Sequence, residues 1–171
     1  MLFNKSFLVS SVLLVILSVA LAAPRPPTGQ TGAIISESKY CLFLPPMYRG
    51  GIAENEDKAV AFCSKPMAEA PNAGILPKGF VKSLHLVCTR RYVQITGRID
   101  RSKYGLSRKD AGGQYDIKAP VGAKCAGYPY FVELVEPDIQ IYCMRCCRNK
   151  SDCPTHKSTK GCKAVISGDY S

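Results

Sequence analysis

Alternation of apolar and polar positions is clearest between Ser83 and Ile99. Over Ser83–Cys88, Leu84, Leu86 and Cys88 fall on one face, and Ser83, His85 and Val87 on the other. In the next run Val93, Ile95 and Ile99 alternate with Gln94, Thr96 and Arg98, and Gly97 stands where the apolar face would carry a side chain. A period of two in β-branched residues predicts half-buried strands. With only Thr89-Arg90-Arg91 between the runs, they predict a hairpin. Tyr40–Leu44 predicts another strand, stopped by Pro45-Pro46 because proline cannot donate to a central ladder. The window Glu54–Cys63 fits either a helical turn with its acids first or a strand over Ala59–Cys63. Met67–Gly79 carries Pro71, Asn72, Gly74 and Pro77 and predicts a loop. Tyr130–Val135 and Ile139–Cys143 predict two further strands, the second running into a dense cysteine cluster. The fold expected is all-β, a small disulfide-rich β-sandwich or barrel-like domain with little helix, over residues 39–171.

The N-terminal stretch is patterned differently. Lys5 precedes the apolar run Phe7–Val19, and Ala20-Leu21-Ala22 follows as a small-x-small cleavage signal. This predicts a secretory signal peptide over residues 1–22. Residues 23–38, rich in Pro, Gly, Thr and Ser, predict a flexible leader. No second long apolar run and no hydrophobic tail follow. The expectation is a secreted protein without a stable membrane anchor, extracellular or cell-wall associated.

Export changes the meaning of the cysteines. All nine (Cys41, Cys63, Cys88, Cys125, Cys143, Cys146, Cys147, Cys153, Cys162) lie beyond residue 23. In an oxidising compartment they should pair, and an odd number leaves one over. Spacing alone does not give the connectivity. The run Cys143-x2-Cys146 with Cys153, His156 or Cys162 also resembles structural zinc spacing, but exported thiols oxidise before they meet zinc. Adjacent Cys146 and Cys147 suit two bridges diverging from one strand. No metal and no cofactor are expected. Asn149-Lys150-Ser151 is an N-glycosylation acceptor.

Net charge is +10, which attracts anionic partners such as acidic polysaccharide, phosphomannan or lipid head groups, or simply keeps the chain soluble. Nothing calls for a nucleic-acid partner. Catalytic chemistry finds little support. There is no Gly-x-Ser-x-Gly elbow, and the two histidines, His85 and His156, sit on a strand and in a cysteine-rich loop. Asp100, Asp110 and Asp116 would serve a secreted glycosidase only if two of them faced one cleft about 5–10 Å apart. Short acids beside turns equally hold the local backbone. Tyr92, Tyr104, Tyr115, Tyr128 and Tyr130 offer aromatic faces for stacking sugars, although tyrosines also fill sheet cores. Tyr92, Tyr104, Tyr115, Arg98, Asp100, Asp110 and Asp116 are therefore the candidate binding residues.

The segment Tyr92-Val93-Gln94-Ile95-Thr96-Gly97-Arg98-Ile99-Asp100, followed by Asp110-x-Gly112-Gly113-Gln114-Tyr115-Asp116, resembles the core of secreted fungal proteins similar to the immunoreactive mannoproteins of yeast cell surfaces. The resemblance implies secretion, a fungal source and association with the wall or medium, and supplies no catalytic residues. The Asp-Pro-His-Gly stretch that often accompanies the Gly-Gly motif is missing, as is a Ser/Thr-rich mannosylated tail. The function expected is a non-enzymatic fungal surface or extracellular protein that binds cell-wall polysaccharide or a host component. The rivals are a small-barrel glycoside hydrolase and a basic secreted effector or antimicrobial protein.

Overall fold

The computed structural model describes residues 30–171. The expected signal peptide and residues 23–29 of the expected leader lie outside them. Ten strands form in chain order: β1 (Thr31–Ser36), β2 (Lys39–Leu44), β3 (Val60–Cys63), β4 (Gly74–Ile75), β5 (His85–Cys88), β6 (Tyr92–Arg98), β7 (Gly113–Asp116), β8 (Lys124–Cys125), β9 (Tyr130–Glu136) and β10 (Ile141–Cys147). Among the described residues helix is confined to four 3-10 turns and one short helix, α1 (Cys162–Val165). The strands make two five-stranded sheets, ordered β4-β3-β2-β1-β8 and β5-β6-β10-β9-β7. The all-β expectation holds.

Local pattern accounts for much of this. The hairpin forms as predicted, with Leu86 opposite Ile95 and Cys88 opposite Val93 across antiparallel β5 and β6. Gly97 is required there, because a Cβ would run into the Ser83 carbonyl of the neighbouring segment. Between the sheets, Leu42, Phe43, Leu44 and Ala61 of the first meet Ile95, Phe131, Val135, Tyr142 and Met144 of the second in one apolar core. The Phe43 and Phe131 rings stack at 5.1 Å between centroids. The ambiguous window resolves as a 3-10 turn at Ala53–Asn55 followed by strand β3.

Two expectations are corrected. Residues 31–36, read as part of a flexible leader, form β1, which pairs antiparallel with β2 and parallel with β8. Its own composition buries little, but its neighbours supply ladder partners, and Ala33 and Ile34 are buried against them. The polar face of β6 was expected to be solvated, yet Gln94 and Thr96 are buried. The C-terminal tail lies across that face. Gln94 Nε2 donates to the Ser167 carbonyl at 2.9 Å, and Thr96 Oγ1 donates to the Asp169 carbonyl at 2.6 Å. A second apolar cluster of Val132, Leu134, Ile141, Val165 and Ile166 completes this outer layer.

Eight of the nine cysteines pair. Cys41–Cys63 joins directly opposed residues of β2 and β3. Cys125–Cys146 ties the two sheets together, from β8 to β10. Cys143–Cys162 fastens α1 to the outer face, and Cys147–Cys153 closes a short loop. Cys146 and Cys147 therefore send bridges to opposite faces of β10, as their adjacency suggests. The thiols of the zinc-like spacing are consumed by these bridges. Cys88 alone is free, and it is exposed at the end of edge strand β5. The native protein should accordingly titrate one thiol per chain with a membrane-impermeant disulfide reagent, and none after Cys88→Ser. More than one reactive thiol in the native parent would contradict the pairing.

Candidate functional site

Pro45 and Pro46 end β2, and the chain turns tightly, with Gly50 N–H donating to the Met47 carbonyl at 3.0 Å. Arg49 adopts a left-handed backbone at φ 68°, a conformation uncommon outside glycine and costly unless held from outside. Its N–H is held by the Tyr104 carbonyl at 3.2 Å. Tyr48 is 57% exposed. Its ring rests on Gly105, at φ 65°, where a Cβ would lie 2.6 Å from the ring. Beneath it Tyr104 meets the ring edge-on at 6.1 Å and donates its O–H to the Pro45 carbonyl at 2.7 Å. The Arg49 guanidinium lies 5.6 Å from the Tyr48 ring centre. An exposed aromatic thus stands on a rigid, interlocked base.

A hollow of about 380 Å³ opens beside it, lined by residues 49–54 together with Ser107, Lys109, Asp110 and Ala111. Asp110 clamps its walls: Oδ2 accepts the Ile52 N–H at 2.9 Å and Oδ1 accepts the Gly112 N–H at 2.8 Å. A second hollow of about 360 Å³ shares Ala53 and Ala111 with the first and adds Glu56, Glu136, Ser158 and Thr159. Glu136 Oε2 accepts the Cys162 N–H at 2.7 Å. Partial burial pushes its carboxyl upward, against the pull of that N–H, so it keeps its proton to higher pH than an ordinary glutamate. The two hollows adjoin at Ala53 and Ala111 as a groove whose lining includes the hydroxyls of Ser107, Ser158 and Thr159 and the carboxyls of Asp110 and Glu136, suited to hydrogen-bonding a polyhydroxylated ligand.

The tyrosines picked out in the sequence do not make a platform. Tyr104 and Tyr115 are buried in the core, because the turn after Asp100 and the inward face of β7 both point at the other sheet. Tyr92 is half-buried under the Arg145 guanidinium, which lies 4.2 Å from its ring centre. Tyr128 and Tyr130 are half-buried. The acids do not pair either. Asp100, Asp110 and Asp116 line three different hollows. Each holds its own turn: Asp100 Oδ1 accepts the Ser102 N–H at 3.0 Å, and Asp116 Oδ1 accepts the Lys118 N–H at 2.7 Å. The Ser102 contacts hold the Asp100 carboxyl below its ordinary range. Arg98 is exposed and shares the Asp100 hollow with Lys82, away from the groove. His85 lies against the tail, with Nδ1 3.6 Å from Asp169 Oδ2. Among the described residues no three His, Cys, Asp or Glu side chains are grouped to hold a metal ion. Sequence reasoning missed Tyr48. The signal for Tyr48 was an aromatic between Pro-Pro and Gly-Gly, a place where no core position is available.

Fold and bridges define the class: a small disulfide-bonded all-β domain with a polar groove at the edge of its sheets. The chain is similar to two fungal proteins. It is 28% identical over 160 residues to appressorium protein ROW1 of Mycosarcoma maydis, an alignment covering 82% of this chain and 37% of that protein. It is 28% identical over 151 residues to appressorium protein ROW2 of the same fungus, covering 75% of this chain and 50% of that one. The chain thus spans half or less of the relatives it matches. No protein-family model matches it, and no solved structure does. Among the described residues no helix is long and apolar enough to cross a membrane.

Proposed function

We propose that the chain is an extracellular fungal surface protein that binds a wall polysaccharide in the groove beside Tyr48. The observation that carries this reading is the exposed Tyr48 ring, held by Gly105, Tyr104 and Arg49, the last of which also lines a hollow with Glu54, Ser107 and Asp110. A rigid aromatic face suits the apolar face of a sugar ring, and little side-chain freedom is lost on binding. Glu136 and Ser158 then meet the sugar hydroxyls in the second hollow. In this reading the protein acts by binding, and Asp110, engaged by two backbone N–H groups, holds the groove wall. Four disulfides support residence in an oxidising space, and the similarity to two appressorium proteins is compatible with an extracellular place in a fungus. A mannoprotein-like association with the wall belongs to the same reading.

Retention of the secreted protein on insoluble chitin, β-glucan and mannan tests it. Tyr48→Ala should weaken binding to the retaining polymer by roughly tenfold, the equivalent of about 1.4 kcal/mol, with an unchanged melting temperature. No retention on any of the three at low salt, or full retention by Tyr48→Ala, would overturn it.

A further inference from the structure

One end of the second sheet gathers cations that the groove does not use. Strand order and register bring four connecting segments to the same end: the β5–β6 turn, the residues after β10, those before β9, and those after β7. Three of them carry Arg90, Arg91, Arg148, Lys150 and Lys118, all exposed, and the segment before β9 carries Tyr128. The backbone joins them directly, since Arg148 N–H donates to the Arg91 carbonyl at 2.8 Å. The Arg148 guanidinium lies 5.3 Å from the Tyr128 ring centre, and Lys118 and Lys150 line one small hollow with Tyr130.

Charge accounting isolates the row further. Asp152 gives both carboxylate oxygens to the Arg91 guanidinium. Asp116 gives both of its own to the Gln114 amide and the Lys118 N–H. Arg90, Arg148, Lys150 and Lys118 have no carboxylate partner among the described residues. At the opposite end of the sheet, cations alternate with acids: Lys82 and Lys103 act on Asp100, and Lys163 on Glu136. Neighbouring strands are spaced by roughly 4.8 Å, so the five strands set these cations along an edge about 20 Å long.

We propose that this rim is a docking strip for a linear carboxylated polysaccharide. A row one segment deep fits a single extended polyanion better than a flat bilayer surface. Arginine forks match carboxylates in two-point contacts, and the half-buried Tyr128 and Tyr130 lie among the cations to meet sugar rings. The strip is separate from the Tyr48 groove and stands or falls without it.

The test is salt elution from immobilised polygalacturonate, in an Asn149→Gln background so that no glycan overhangs the rim. Asn149 makes no side-chain capping bond, so this change leaves the turn intact. The triple variant Arg90→Glu, Arg148→Glu, Lys150→Glu should bind roughly tenfold or more weakly at low salt and lose most of its salt dependence. The triple Lys78→Glu, Lys82→Glu, Lys103→Glu changes the net charge equally at the far end and should elute close to the parent. Matching melting temperatures for the two triples exclude misfolding; if the rim triple is unfolded, the milder Arg90→Gln, Arg148→Gln pair takes its place. Equal loss in both triples would show that net charge alone acts, and would overturn the strip. So would absence of retention at low salt, or rim-dependent binding to anionic vesicles but not to polygalacturonate.

Discussion

Glu133→Gln should flatten the pH dependence of this protein's stability, raising its melting temperature relative to the parent as the solution becomes neutral. Glu133 sits on β9, fully buried between the sheets. Both carboxyl oxygens receive the Phe43 N–H of β2, at 2.9 and 3.0 Å. No cation faces it. Tyr115 lies directly opposite on β7 and Met144 opposite on β10. Burial without a counter-charge pushes the carboxyl well above its ordinary value of 4.5, only partly offset by the Phe43 N–H. The sign follows from linkage. The unfolded chain releases this proton near the ordinary value while the folded chain keeps it, so the contribution is complete in acid and is lost as pH rises toward the folded value. The loss amounts to about 1.4 kcal/mol per pH unit across that window. Glutamine does not titrate, and its carbonyl still accepts the Phe43 N–H. Glu136 shifts in the same direction and adds a smaller slope of the same sign. Thermal melts of parent and variant from pH 4 to pH 8 decide the matter, and parallel curves would refute the account.

The second large effect is expected from the bridge between the sheets. Removing Cys125–Cys146 as a double alanine variant should cost about 3 kcal/mol, and removing Cys147–Cys153 about 2 kcal/mol. The difference arises because the first bridge spans 21 residues of sequence and the second only 6. Alanine is the better replacement, since both Cys125 and Cys146 are buried in the main core, where a serine hydroxyl would be left without a partner. Denaturant unfolding of the two double variants would measure the ranking. Loss of the short-loop bridge costing more than loss of the inter-sheet one would show that native packing, and not chain restriction, sets the contribution.

Five strands were legible along the chain. β5, β6 and the start of β10 carry a period-two pattern, while β2 and β9 are short apolar runs stopped by Pro45-Pro46 and Pro137. The divergence of Cys146 and Cys147 could also be read, because neighbours on a strand must face opposite ways. The candidate site was not legible. In the sequence Tyr104 and Tyr115 stood out and Tyr48 was passed over, whereas the folded chain buries those two and leaves Tyr48 on the surface.

By itself the sequence determined what depends on neighbours a few residues apart: alternation, turns, and a stock of cysteines too large to remain reduced outside the cell. The tertiary structure alone decided what depends on distant segments. It put β1 into a ladder its own residues would not hold, drew the tail over Gln94 and Thr96, chose four pairs among nine thiols, and lined up the cations of three separate loops. Each of these outcomes is fixed by which strands lie side by side, and strand pairing is settled by burial summed over the whole core rather than by any one stretch of chain.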